Sequence, residues 1–153
     1  MTQVVLGLAA PHSVVGIDPS AGYIAYARGH ANDDPARFQV ADAQSLPFDA
    51  ASFDAVVSGL VLNFVPEPAR AVAEMKRVAW PGGTIAAYVW DYAGKMELMR
   101  YFWDAAVALN PAARDLDEGR RFLLCKPEPL QRLFTEAGVQ EVEVQAIDVP
   151  THF

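Results

Sequence analysis

The sequence predicts an α/β protein built on a mostly parallel sheet, with helices on both faces. Two observations predict it. Short runs of β-branched and apolar residues alternate with stretches of helical periodicity along the chain, which is the α/β signature. Several of those runs are apolar on both faces and end in a polar residue, as strands enclosed in a parallel sheet do. Right-handed crossovers between such strands place the intervening helices on both sides.

The elements follow in order. Thr2–Ala10 reads as a short helix with Val4, Val5, Leu8 and Ala9 on one face, stopped by Pro11. Val14–Asp18 is a buried strand, closed by Pro19, which cannot donate to a ladder. Ser20–His30 follows as a helix, with Tyr23, Ile24, Ala27 and His30 at helical spacing. Asn32-Asp33-Asp34-Pro35 is turn chemistry, and Phe38–Val40 is a second strand leading to Ala41-Asp42-Ala43. Ser45–Ser52 is a loop that Leu46 and Phe48 plug into the core.

Phe53–Val57 is a third strand running into Ser58-Gly59, and Leu60–Val65 is an apolar loop or short helix beyond it. Pro66-Glu67-Pro68 opens a helix, because proline fits the first turn. Its buried stripe is Val65, Ala69, Val72, Met75 and Val78, and its wet face Arg70, Glu74, Lys76 and Arg77. Pro81-Gly82-Gly83 suits a tight turn with glycine at the second central position, before a fourth strand, Thr84–Trp90, that ends at Asp91. Gly94–Asn110 is a helix whose Met99, Phe102, Trp103, Ala106 and Leu109 share a face, and Arg114–Arg121 is a solvated charged segment. Pro127–Ala137 is the last helix, closed by Gly138. Val139–Val149, where Glu141, Glu143 and Gln145 alternate with Val142, Val144 and Ala146, is a last strand with one wet face.

Composition bounds the function. The 153 residues are 52% hydrophobic and 20% charged, which is a globular chain with a core and neither a repeat nor a linker. A net charge of −7 argues against affinity built on phosphate contacts, so nucleic acid is not an expected partner. No apolar run approaches the roughly 20 residues of a membrane span, and no basic, apolar leader opens the sequence, so a cytoplasmic protein is the expectation. Cys125 is the single cysteine, and His12, His30 and His152 show no ligand spacing, so no metal site is expected.

Three strand ends carry polar groups: Asp18, Asp42 and Ser58, with the two acids one strand–helix–strand unit apart. Ligands of open α/β sheets bind just outside such carboxyl ends, and a carboxylate there suits the two hydroxyls of a ribose. The structural alternative is that Asp18 caps the following helix and that Asp42 closes a turn. Val14–Ser20, Phe38–Phe48, Phe53–Pro68, Met75–Ala86 and Leu133–Val144, in this order and spacing, resemble the class I S-adenosylmethionine-dependent methyltransferases, particularly the small-molecule type. The resemblance implies a Rossmann-like sheet and S-adenosylmethionine as cofactor. It implies that Asp18 takes the ribose hydroxyls with Pro19 and Ser20 beside it. It further implies that Asp42 accepts from the adenine amino group with Ala43 reading the ring, and that Ser58 and Leu60 lie near the methionine part.

Methyl transfer needs nucleophile, methyl and sulfur held in line and no obligatory base. Asp91 is the best-placed carboxylate should one be used, and Trp90, Tyr92, Phe102 and Trp103 are positioned to wall a small apolar acceptor pocket. The sequence departs from the family at both ends. No Gly-x-Gly is present, and no return strand follows Val149. Residues 1–153 are therefore expected to form one partial domain with a sheet incomplete at both ends. Its central gap is expected to be collapsed or filled by a partner, such as a homodimer covering the open edges, and cofactor affinity is expected to be reduced. Two other readings remain at this point. One is a non-catalytic α/β domain acting through partners or oligomerisation. The other is a nicotinamide-dinucleotide oxidoreductase fragment, which the second acid at Asp42 disfavours.

Overall fold

A computed structural model describes residues 1–31 and 36–150. The predicted Asn32–Pro35 turn and His152 lie outside them. The described elements are α1 (Thr2–Ala9), β1 (Val14–Asp18), α2 (Ala21–His30), β2 (Ala36–Val40), β3 (Phe53–Gly59), α3 (Pro68–Val78), β4 (Ala79–Tyr88), α4 (Glu97–Leu109), α5 (Glu118–Arg121) and α6 (Pro127–Glu136). Short 3-10 segments cover Leu62–Phe64, Pro111–Leu116 and Leu123–Cys125.

Among the described residues the strands form two separate parallel pairs, β1 with β2 and β3 with β4. No ladder joins β1 to β3 among them, so the sheet is divided and the expected collapse, in which these two strands would pair directly, is not seen. The division also changes the burial of β1. All five of its residues are half-buried rather than enclosed, because the strand has a neighbour on one side only. Water can reach the open edge and satisfy its backbone groups. The whole chain exposes 10674 Å². A compact monomer of its 16.6 kDa exposes about 7,600 Å² on the usual scaling, so the excess is about 3,000 Å².

The core lies on the second pair. Leu62, Ala71, Val72, Leu130 and Phe134 form the buried cluster, with Ile85, Ala87 and Val89 of the β4 segment packed against it. Helix α3 forms because Pro68 pre-sets its first turn and because Val72, Met75 and Val78 recur on one face; all three are buried, as expected, and Ala71 joins them where Ala69 is exposed. At the start of β4, pairing jumps from Phe53–Ala79 to Ala55–Thr84, which loops out Trp80–Gly83 as an irregularity. Gly82 has φ 84°, the left-handed conformation that the predicted turn needs.

Several expectations change. Val139–Val149 is not a strand: Val142 and Val144 do turn toward the core and Glu141 and Glu143 away, but no described neighbour pairs with the segment. Side-chain alternation sets which face is buried, while a strand also needs a ladder partner. In α2 only Ile24 is buried, and in α4 only Trp103; Phe102 and Leu109 are exposed. The charged segment from Arg114 is not uniformly solvated, because Asp117 and Gly119 within it are buried. Among the described residues no helix is long and apolar enough to cross a membrane.

Candidate functional site

Parallel pairing places the ends of β1 and β2 side by side. Asp18 aligns with Val40, and the Ala41 N–H donates to the Asp18 carbonyl at 3.2 Å. Asp42 follows two residues beyond Val40, so the two acids stand at neighbouring carboxyl ends. One Asp18 carboxylate oxygen, Oδ1, accepts from the Ser20 N–H at 2.7 Å. Ser20 is the N-cap of α2, with its hydroxyl accepting from the Tyr23 N–H at 3.4 Å. The capping alternative for Asp18 is thus partly realised, and its Oδ2 has no protein partner among the described residues. Pro19 is exposed and Ser20 half-buried at the mouth of this turn.

Asp42 is exposed and closes a tight turn, bridging to Ser45. Its Oδ1 accepts from the Gln44 N–H at 2.9 Å, and the Gln44 side-chain amide donates to Oδ1 at 3.2 Å and to Oδ2 at 3.1 Å. The Gln44 amide oxygen in turn accepts from the Glu67 N–H at 2.9 Å, at the entry to α3. Ala43 is half-buried against the core cluster that includes Leu62.

Ser58 and Leu60 belong to the other strand pair. Ser58 aligns with Ala87 and is half-buried. Leu60 has φ 58°, a left-handed conformation that costs a non-glycine residue about 1–3 kcal/mol. Its N–H donates to the Tyr88 carbonyl at 2.8 Å, which holds this turn at the end of β3. The Tyr88 hydroxyl lies directly over Gly59, where any Cβ would collide with it.

With no ladder between β1 and β3, the 41–52 loop carries the connection between these two groups, and α3 holds the loop. Glu74 accepts from the Leu46 N–H at 2.8 Å, and Arg77 donates to the Phe48 carbonyl at 2.8 Å and the Leu46 carbonyl at 2.9 Å. Glu74 and Arg77 are themselves paired at 2.6 Å. The hydrogen bond from Arg77 holds the Glu74 carboxyl below its usual range, and Glu74 raises Arg77. Both residues read as wet-face residues in the sequence; instead they are half-buried clamps. Phe48 packs edge-on against Phe53 with centroids 4.9 Å apart, the plug that the sequence suggested.

Beyond β4, Asp91 accepts the N–H groups of Gly94 at 2.8 Å and Lys95 at 3.0 Å, one on each oxygen, so it is a turn-closing residue. The suggested aromatic wall is not brought together as one pocket. Tyr92 packs on Phe122, Trp103 donates its indole N–H to Glu118, and Trp90 is 46% exposed. Burial, and then the charge of Glu118, push the Tyr92 phenol up, and burial pushes the Cys125 thiol up. The segment is anchored by Asp117, which pairs with Arg100 and accepts from the Gly119 N–H at 2.9 Å.

A parallel α/β domain with acids at two adjacent strand ends is the class of protein that these features define. The particular family follows from comparison with known proteins. A family model described as a methyltransferase domain matches residues 2–87. The chain belongs to that family, the S-adenosylmethionine-dependent methyltransferases of class I fold. The demethylmenaquinone methyltransferase of Clavibacter sepedonicus is 45% identical over 73 residues, which span 47% of this chain and 30% of that protein. The match therefore covers less than a third of that curated relative's length. A solved S-adenosylmethionine-dependent methyltransferase from Methanosarcina mazei is 31% identical with a TM-score of 0.54, over 64% of this chain and 52% of that one. A chain from a complex between the Haloferax volcanii Trm112 methyltransferase activator and a methyltransferase shares the fold at a TM-score of 0.71 and 21% identity, over 98% of this chain and 62% of that one.

Proposed function

We propose that this chain binds S-adenosylmethionine at the carboxyl ends of β1, β2 and β3 and serves methyl transfer to a small-molecule acceptor. One observation carries the reading: Asp18 and Asp42 stand at adjacent strand ends, each with carboxylate capacity left over from its own turn. A carboxylate accepts about four hydrogen bonds. Asp18 uses one and Asp42 three. In this reading Asp18 takes the ribose hydroxyls, beside Pro19 and Ser20. Asp42 accepts from the adenine amino group, with the Ala43 backbone reading the ring, and Ser58 and Leu60 line the methionine end. When bound, the cofactor supplies a methyl group activated on a sulfonium. The contribution of the chain is to hold and orient. Residues 1–153 act in this reading as a single methyltransferase-like domain.

The test is calorimetric titration of S-adenosylhomocysteine into the 153-residue chain, with Asp18→Ala and Asp18→Asn in parallel. The asparagine variant keeps an oxygen for the Ser20 N–H, so it removes charge without removing the cap. Micromolar binding that weakens at least about tenfold in both variants, the equivalent of about 1.4 kcal/mol, supports the reading. No heat at millimolar ligand, or equal binding by both variants, sinks it.

A second reading has an observation of its own. The edges of β1 and β3, which have no ladder partner among the described residues, and the excess surface of about 3,000 Å² favour association with another chain through the open sheet edges. Sedimentation velocity across a hundredfold concentration range separates the two readings, since association without nucleoside binding belongs to this one alone.

A further inference from the structure

The Asp42 turn has a feature that ligand binding by itself does not require. Gln44 uses every polar atom of its side chain. Its NH2 group donates to both oxygens of Asp42, at 3.2 and 3.1 Å, and its carbonyl accepts from the Glu67 N–H at 2.9 Å. Asp42 is exposed, and an exposed carboxylate ordinarily samples several rotamers. Here the amide and the Gln44 N–H hold it from one side. Two donor groups, the Gln44 N–H on Oδ1 and the side-chain amide shared between both oxygens, make three contacts on a carboxylate that accepts about four and leave one direction open, on Oδ2. The far end of the glutamine is fixed to the start of α3, the helix that also clamps Leu46 and Phe48.

We propose that Gln44 is a positioning residue that sets the base selectivity of the site. By fixing the Asp42 carboxylate, an acceptor when ionised, in one orientation so that it cannot turn away from the base, it makes the site select a 6-amino purine over a 6-oxo purine. A 6-oxo group would turn a second acceptor toward Asp42 and leave both unpaired, which is the situation that gives polar sites their discrimination. This inference rests on the cofactor reading above and deepens it.

The test measures binding of S-adenosylhomocysteine and S-inosylhomocysteine to the full 153-residue chain by calorimetry, in the unsubstituted protein, Gln44→Glu and Gln44→Met. Gln44→Glu keeps an oxygen for the Glu67 N–H but has no donor for Asp42. Gln44→Met keeps the bulk and removes both contacts. The unsubstituted chain is expected to prefer the adenosyl compound by about tenfold or more, and both variants to bring that ratio below about threefold. A purely structural role for Gln44 weakens both ligands together and leaves the ratio unchanged, which overturns the proposal. Tighter adenosyl binding by either variant also overturns it, because Gln44 would then be a competitor for Asp42. A chain that binds neither ligand fails the cofactor reading itself. A chain that shows the preference and keeps it in both variants fails only the role of Gln44.

Discussion

Asp117 offers the sharpest test of how the segment after β4 is held. It is a buried carboxylate, 7% exposed, in a stretch whose sequence reads as solvated. Both of its oxygens face the Arg100 guanidinium, Oδ2 at 3.0 Å from Nη1 and Oδ1 against Nη2, while Oδ1 also accepts from the Gly119 N–H. Asp117→Asn removes the charge and turns one donor toward a guanidinium that has only donors. Removing one partner of a buried pair costs about 3–5 kcal/mol, because the other charge is left uncompensated. The side chains here are 10% and 23% exposed, so water reaches Arg100 and relieves part of that. We therefore expect a loss of about 2–3 kcal/mol, at or just below the lower end of that range. For a chain of this length that is about 4–12 °C in Tm.

Urea unfolding followed by circular dichroism and by tryptophan fluorescence measures this. Trp103 is bonded to Glu118, the residue next to Asp117, so with Trp80 and Trp90 replaced by Phe in both proteins the fluorescence arm reports locally. The pH dependence fixes the cause. The hydrogen bond from Arg100 lowers the folded carboxyl of Asp117 below its ordinary value. A group with a lowered folded pKa contributes stability that is fully present above the unfolded value, about 3.9 for Asp. That stability is lost as pH falls through the lower, folded value. The unsubstituted and Asp117→Asn stability curves should thus run parallel near neutral pH and converge in the acid range. A loss below about 0.5 kcal/mol, or a gap that persists unchanged into acid, would refute the argument.

The other expectations concern the clamp and the glycines. Glu74→Gln puts an NH2 group against Arg77, and should cost about 1–2 kcal/mol while raising the hydrogen-exchange rate of the Leu46 amide; an unchanged rate would mean that Glu74 does not hold the loop. Gly83→Ala should destabilise by about 1–3 kcal/mol, since its Cβ would lie 2.8 Å from the Asp54 carbonyl and 2.9 Å from that of Trp80, both backbone. Gly7→Ala, in α1 with nothing near its Cβ, should stabilise by up to about 1 kcal/mol. Thermal unfolding of the two glycine variants tests the opposite signs together.

The parts of this fold legible in sequence are those decided locally. Pro68 at the start of α3 and Gly138 after α6 mark helix ends through backbone chemistry that tertiary contacts do not override. Gly138 has φ 76°, and the Val139 N–H reaches back to the Phe134 carbonyl at 3.1 Å. Val14–Asp18 is a strand in both sequence and structure, and the strand read at Phe53–Val57 runs on to Gly59, because β-branched and aromatic runs favour this conformation. The misread parts were decided by partners far away in the chain. Val139–Val149 has the alternation of a strand, yet lacks a ladder neighbour. Asp117 lies among charges in the sequence and is buried because Arg100, seventeen residues earlier, reaches it. At the site, the positions of Asp18 and Asp42 follow from strand ends and are legible. The residues that hold the loop after Asp42 are not, because Glu74 and Arg77 at i, i+3 look like any exposed helix pair. Gln44 carried no signal beyond being a polar loop residue.

The divided sheet gives α3 a larger role than a packing helix. In an undivided parallel sheet, neighbouring strand ends are referenced to one another by ladder hydrogen bonds. Here β1–β2 and β3–β4 share none, so the register between Asp18 and Asp42 on one side and Ser58 and Leu60 on the other must travel another way. The described hydrogen bonds show a route through α3. The loop after Asp42 is bonded to α3 through Gln44, Leu46 and Phe48. The strand entering β3 is bonded to the end of the same helix, with the Ala51 N–H on the Arg77 carbonyl and the Ser52 N–H on that of Val78. The apolar face of α3 is in turn buried in the core that backs β4. One helix therefore touches both strand pairs, directly or through the loop. Perturbing its polar face at Glu74 or Arg77 should alter the spacing of the site's two groups without disturbing either turn itself. That separates these residues from Asp18 and Leu60, whose substitution acts on one turn and leaves the distance between the groups alone.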